Sequence, residues 1–244
     1  MRIMIIGGTS GIGLALARHY LEQGAQVAIC GRDPDKVNGL DIARHRQLQL
    51  ICCDIADGGG VARVISMFGA EGLDLLIVTA GQYADAASLA LAPRSALSLL
   101  NVNVGGLHHA FAAASGIMLA QGKGHLVAVA SVAGLLDDYP GASLYSASKR
   151  AAIAICDAYR KALAPLSIAV TAIVPGYIDT AALRALNRGD ASHKPFLLPE
   201  HEAVRHISAA IARRDARCIF PWQIHLLVRL FNCLPARLRR LRKK

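Results

Sequence analysis

The sequence predicts a doubly wound α/β fold: one parallel sheet, helices on both faces, three layers, one domain. Short continuous apolar runs recur through the first 220 residues and read as strands buried on both faces. Segments with helical patterning alternate with them, which argues for strand–helix–strand crossovers of one hand. A glycine turn, Gly7-Gly8-Thr9-Ser10-Gly11-Ile12-Gly13, joins the first strand to the first helix, and no linker-like or repeated segment breaks the chain afterwards.

The runs at residues 3–6, 27–30, 48–52, 73–78, 126–130 and 168–174 supply six strands, and residues 218–220 a small seventh. The first helix extends to about Gln23, and a short helix is expected from Pro34, a favoured first-turn residue. Residues 58–68 form a weak helical pattern, and 94–121 one long helix interrupted at Gly105-Gly106. Another helix carries Tyr145 and ends near Ala164, before Pro165. Pro175-Gly176 stops the sixth strand, a mixed loop runs to Pro199, and residues 200–213 form a further helix.

A chain of 244 residues with 54% apolar content and a mean hydropathy of +0.38 is too apolar for disorder and long enough for a sizeable core. Its +10 charge is concentrated: residues 229–244 hold seven cations and no acid, leaving +3 for the rest. The organisation expected is a body over 1–220 and a basic, amphipathic extension over 221–244. Basicity confined to one end, without aromatic interleaving, argues against nucleic acid. Six cysteines without metal-type spacing read as free thiols in a reducing, cytoplasmic compartment. The opening residues are too quickly broken by glycine for a signal peptide, no run is long enough to span a bilayer, and the nine histidines form no metal-ligand array.

Gly7, Gly11 and Gly13 sit where a doubly wound (Rossmann) sheet receives a dinucleotide. Glycines permit the tight turn, and amides at a helix N-terminus meet the pyrophosphate. Thr9, Ser10 and Ile12 belong to the same turn. At the tip of the second strand stands Arg32, whose guanidinium suits a ribose 2′-phosphate and favours NADP; Asp33, one step later, keeps NAD possible. Asp54, followed by Ile55, could reach an adenine amine from the end of strand three. Tyr145 and Lys149 are i and i+4 on one helical face, and an ammonium beside a phenol lowers its pKa from about 10. The pair is therefore suited to proton transfer near neutral pH.

With these motifs the sequence resembles the classical short-chain dehydrogenases/reductases (SDR) over about residues 2–220. The resemblance implies a catalytic set of Asn103, Ser131, Tyr145 and Lys149. It also implies cofactor contacts at Gly7 to Gly13, Asp54, Ala80-Gly81 (within Thr79-Ala80-Gly81, where the family has Asn-Ala-Gly), Pro175-Gly176, Ile178 and Thr180. Tyr145 would exchange the proton, Ser131 would bond the substrate oxygen, Asn103 would order a relay, and Lys149 would hold the nicotinamide ribose. The activity implied is hydride transfer between NADP(H) and a carbonyl or alcohol; an epimerase or dehydratase on this fold, or a non-catalytic nucleotide-binding regulator, is the alternative. Pairing through residues 98–121 and 145–163 into a dimer or tetramer is likewise implied.

Two positions depart from the family pattern: Ile6 stands where Thr is usual, and Thr79 where Asn is usual. Both put local rigidity in question. Asn103 is preferred to Asn101 because a glycine follows it at +3. Loops 82–95, 132–144 and 177–199 should converge over the pocket, and their Tyr83, Leu135, Tyr139, Tyr177, Leu183 and Phe196 suggest a lipophilic substrate. In the extension, residues 221–231 read as a helix, Pro235 can start a second, and Leu227, Leu230, Leu234, Leu238 and Leu241 fall on one stripe with arginines between. That pattern fits an anionic membrane surface, a sister subunit or a solvated end.

Overall fold

The computed structural model describes residues 1–136 and 142–233. The strands are β1 (Arg2–Ile6), β2 (Gln26–Gly31), β3 (Leu48–Cys52), β4 (Leu75–Val78), β5 (Gly124–Val129), β6 (Ile168–Pro175), β7 (Ile178–Asp179), β8 (Leu198–Pro199) and β9 (Arg217–Phe220). The helices are α1 (Gly11–Glu22), α2 (Gly58–Phe68), α3 (Ala86–Leu91), α4 (Arg94–Leu100), α5 (Leu107–Gln121), α6 (Ser143–Leu163), α7 (Ala181–Leu186), α8 (Glu200–Arg213) and α9 (Trp222–Cys233). Seven strands form one all-parallel sheet in the order β3-β2-β1-β4-β5-β6-β9; β7 and β8 pair separately. The order reverses between β1 and β4, which opens a crevice above their carboxyl ends.

Strand alternation divides the core. Met4 and Ile6 point into a layer with Ile65 of α2, Phe111 of α5 and Cys156 of α6, whereas Ile3 and Ile5 meet Leu16 of α1 and Ile207 of α8. Both layers exclude water, so β1 reads as an unbroken apolar run.

Several local expectations change. Pro34 begins a single 3₁₀ turn, Pro34–Val37, and a second follows at Asp41–Arg44. Strand β4 starts at Leu75 rather than Leu73, because the Gln121 side chain takes both backbone groups of Leu73: its amide donates to Gln121 Oε1 (3.1 Å) and its carbonyl accepts from Nε2 (2.6 Å). The 94–121 helix is not broken at Gly105-Gly106. It passes through a π-helical segment, Asn101–Gly106, and continues as α5. The mixed loop before Pro199 contains β7 and α7, and α3 was not anticipated. Helix α9 extends the expected 221–231 segment to Cys233; Pro235, Leu234, Leu238 and Leu241 lie outside the described residues.

Candidate active site

The glycine turn is stitched to both neighbouring strands. The amides of Gly7 and Gly8 donate to the Cys30 carbonyl (2.8 and 3.2 Å), and those of Thr79 and Ala80 to the Ile6 carbonyl (2.8 and 3.0 Å). Gly7 has φ +90°, and a Cβ there would lie 2.4 Å from the Ala80 nitrogen, so only glycine fits. At Gly13 a Cβ would strike the Gly7 carbonyl oxygen at 2.3 Å. The Thr79 hydroxyl lies within hydrogen-bond distance of the Ile6 and Gly7 carbonyls (3.2 and 3.0 Å). Thr79, one of the two departures from the family pattern, thereby helps to hold the turn.

A cleft of about 600 Å³ opens over this turn. Gly7, Thr9, Ser10, Gly11, Ile12, Gly13, Arg32, Asp54, Ile55, Ala80, Gly81 and Thr180 all line it. Ser10 is the N-cap residue of α1 and its side chain makes no capping bond. Thr180 caps α7 by accepting from the Leu183 amide (3.1 Å) and stands over Gly11. Asp54 is exposed and turns one oxygen to the Ala56 amide (3.0 Å). Lys36, Gln82, Val102 and Val129 also line the cleft and were not singled out by sequence. Lys36 adds a second cation beside Arg32, with its Nζ 3.8 Å from Asp33.

Pro175, Gly176 and Ile178 are not on this wall. Pro175 ends β6 in the core, and Ile178 packs among the residues of α1 and α8. Gly176 donates its amide to Phe220 (2.8 Å) and faces α9, where a Cβ would lie 3.1 Å from Ile224.

The inner end of the cleft, at Gln82 and Val129, is held by the predicted proton-handling residues. Asn103 is 4% exposed, whereas Asn101 faces solvent. The π-helical segment carries Asn103 toward the site, and Gly106 lets it approach the β3–α2 connection, since a Cβ there would sit 2.8 Å from the Ile55 carbonyl. The Gln82 amide donates to Asn103 Oδ1 (2.7 Å), and Asn103 Nδ2 donates to the Gln82 carbonyl (2.9 Å) and to Ser148 Oγ (3.0 Å). Ser148 in turn donates to the Tyr145 carbonyl (2.7 Å), tying Asn103 to the first turn of α6.

Lys149 is 7% exposed and donates to the Val129 carbonyl (3.1 Å). Its Nζ is 5.9 Å from the centre of the Tyr145 ring, and a Cβ on Gly81 would approach it to 3.1 Å. Burial pulls its pKa down from 10.5 to about 8, which leaves it cationic at neutral pH. Tyr83 stands edge-on to Tyr145, centroids 4.9 Å apart.

Ser131 begins the 3₁₀ turn Val132–Leu135, accepting from the Ala133 amide (3.2 Å). Ser146 clamps that turn to α6 by donating to the Ala133 carbonyl (2.7 Å). At Gly134 a Cβ would lie 2.7 Å from the Lys149 backbone, so the turn rests directly on the helix that carries Tyr145 and Lys149. Of the expected pocket side chains, Leu135 and Tyr177 are part-buried against the core, Leu183 is half-buried, and Tyr83 and Phe196 are exposed. Tyr139 lies outside the described residues.

The donor set fits a dinucleotide: cations at one end, the N-terminus of α1 in the middle, and a buried ammonium beyond Gly81 at the other. The family model for short chain dehydrogenases matches residues 1–191. The chain belongs to the short-chain dehydrogenase/reductase family. It is 32% identical over 192 residues to an uncharacterized oxidoreductase of Staphylococcus aureus (strain N315), covering 77% of this chain and 82% of the relative. To an uncharacterized oxidoreductase of Myxococcus xanthus (strain DK1622) it is 30% identical over 237 residues, covering 95% and 92%. The solved structure of ElxO with NADP bound superposes with a TM-score of 0.77 at 23% identity, covering 85% of this chain and 90% of ElxO. A Beutenbergia cavernae protein described as a NAD(P)-dependent gluconate 5-dehydrogenase, with NADP at low occupancy, gives a TM-score of 0.73 at 27% identity, covering 83% and 86%.

Proposed function

We propose that this short-chain dehydrogenase/reductase interconverts a lipophilic carbonyl compound and its alcohol, using NADP(H). The observation that carries the proposal is the buried Lys149 cation at the inner end of the dinucleotide cleft, one helical turn from Tyr145 and beside the immobilised Asn103. NADP in the ElxO and Beutenbergia structures supports the cofactor, as do Arg32 and Lys36 on the cleft wall here.

When bound in the cleft, NADP(H) would supply the hydride for reduction and take it up in oxidation. Tyr145 gives its hydroxyl proton to the carbonyl oxygen as charge develops there, so hydride and proton together make the alcohol; in oxidation it takes that proton back. The Lys149 ammonium stabilises the phenolate left behind, and Ser131 donates a hydrogen bond to the substrate oxygen. Asn103, fixed by Gln82 and Ser148, holds the α6 turn and the cleft wall in register. Arg32 and Lys36, both on the cleft wall, would hold the 2′-phosphate of NADP(H). Six thiols without disulfide partners favour a cytoplasmic setting. Pairing through α5 and α6 is what the family resemblance implies, and Leu119 of α5, 45% exposed, offers apolar surface for it.

The test is a panel of apolar ketones and aldehydes with NADPH, run beside Tyr145→Phe. Loss of a general acid should lower kcat/KM by roughly 10²–10⁴-fold. Unchanged turnover in Tyr145→Phe would reject the mechanism.

A further inference from the structure

Helix α9 is apolar on two opposed faces. Ile224 and Val228 are buried, Ile224 against Gly176 and Pro221, and Asn232 donates to the Leu135 carbonyl (2.7 Å). This face fastens the helix beside the turn that follows Ser131. On the other side Trp222, Leu226 and Leu230 follow one another at i, i+4 and i+8, with Leu227 flanking them. These four are 69%, 48%, 57% and 48% exposed, respectively. Such a row on a soluble surface has a strong tendency to find an apolar partner.

The charge identifies the partner. From Pro221 to the last residue the sequence holds seven cations and no acid, and Arg229 lies on the exposed side of α9 itself. A second copy meeting this face with its own α9 would bring the same cations and no acid from that segment, so it offers no charge complement. An anionic lipid surface accepts both parts: leucine and tryptophan enter the interface, and arginines and lysines meet the headgroups. No helix among the described residues is long and apolar enough to cross a membrane.

We propose that the exposed face of α9, with the basic residues that follow it, docks the protein on an anionic lipid surface. Because the opposite face holds the Leu135 carbonyl, the docked protein turns the Ser131 side of its site toward the bilayer. A lipophilic substrate dissolved in that bilayer would then have a short path to the pocket.

The experiment is sedimentation of the full chain with vesicles of phosphatidylcholine alone or mixed with phosphatidylserine, across a salt series. Binding should need the anionic lipid and weaken as salt rises. Trp222→Ser with Leu226→Ser and Leu230→Ser should lower vesicle affinity more than about tenfold. Arg239→Gln with Arg240→Gln should lower it by roughly 30-fold. NADPH binding, followed by cofactor fluorescence, confirms that each variant is folded and reports on the cleft independently of lipid. Equal sedimentation with and without phosphatidylserine would overturn the proposal, and so would full binding by the triple-serine variant. A concentration-dependent dimer lost in that variant, without vesicle binding, would assign the face to a second copy and overturn it equally.

Discussion

The two ends of β5 each bury a basic side chain, and they treat it differently. His125, near the start of the strand, is 6% exposed; Lys149 reaches over the far end to the Val129 carbonyl and is 7% exposed. Burial lowers both pKa values by a similar amount, from 6.5 to about 4 for His125 and from 10.5 to about 8 for Lys149; the Arg214 charge adds to the first. The starting value therefore decides the charge at neutral pH. His125 is neutral, and its bond fits that state: the Thr171 hydroxyl spends its proton on the Asp215 carbonyl (2.6 Å), so His125 must donate through Nε2 (2.8 Å). Lys149 keeps its charge against the same burial, and it does so beside a phenol and a cleft. One end of the strand is a neutral structural joint, and the other is a stored cation.

The comparison fails most visibly if that cation is unimportant. Lys149→Met should lower kcat/KM by roughly 10²–10³-fold, the effect of removing one electrostatic stabiliser from an active site. If the protonated lysine is the active form, kcat/KM for reduction by the wild-type protein should fall as pH rises through about 8. A profile flat through that range would separate the lysine charge from turnover.

At the other end the readout is stability. A histidine whose pKa is depressed on folding contributes fully above its unfolded value of 6.5, and that contribution is lost as pH falls toward about 4. The loss amounts to roughly 3 kcal/mol across that window. His125→Gln retains an amide donor for Thr171 and cannot titrate, so denaturant unfolding should show a weaker loss of stability over the same window. Turnover at neutral pH should be nearly unchanged. An identical acid dependence in the two proteins would remove His125 from the account.

An exposed cation sharpens the contrast from outside the core. Arg32→Ala should weaken NADPH binding by roughly 10–100-fold, the range for a charge-assisted bond, and should leave NADH affinity nearly unchanged. Lys36→Ala should act in the same direction and less strongly. Equal NADPH affinity in wild type and Arg32→Ala would transfer the 2′-phosphate to other residues.

Sheet and site differ in how far they can be read from the chain. Strands β1, β2 and β5 announce themselves because both faces are buried and nearly every residue is apolar. Tyr145 and Lys149 are legible because helical spacing alone makes them neighbours. The Gln82 backbone that grips Asn103 carries no motif, since a main-chain contact leaves no mark on residue type. Gly134 and Ser146 could have been noticed as a small residue and a hydroxyl flanking the Ser131–Tyr145 interval, yet their contacts depend on how the turn lies on α6. Helix α3 escaped because Ala86–Leu91 is short and buries none of its residues, so no periodic stripe marks it.

The widened turn at Asn101–Gly106 has a consequence for how this chain can vary in length. An α-helix advances about 100° per residue, so removing one residue to restore ordinary winding would rotate everything beyond it by nearly a third of a turn. Leu107, Phe111 and Met118 now point into the core and would swing off it, or else Asn103 would turn away from Gln82. The bulge acts as a phase adjuster between two helical segments with different obligations, so this stretch should tolerate exchange of residue types far better than loss of a single one.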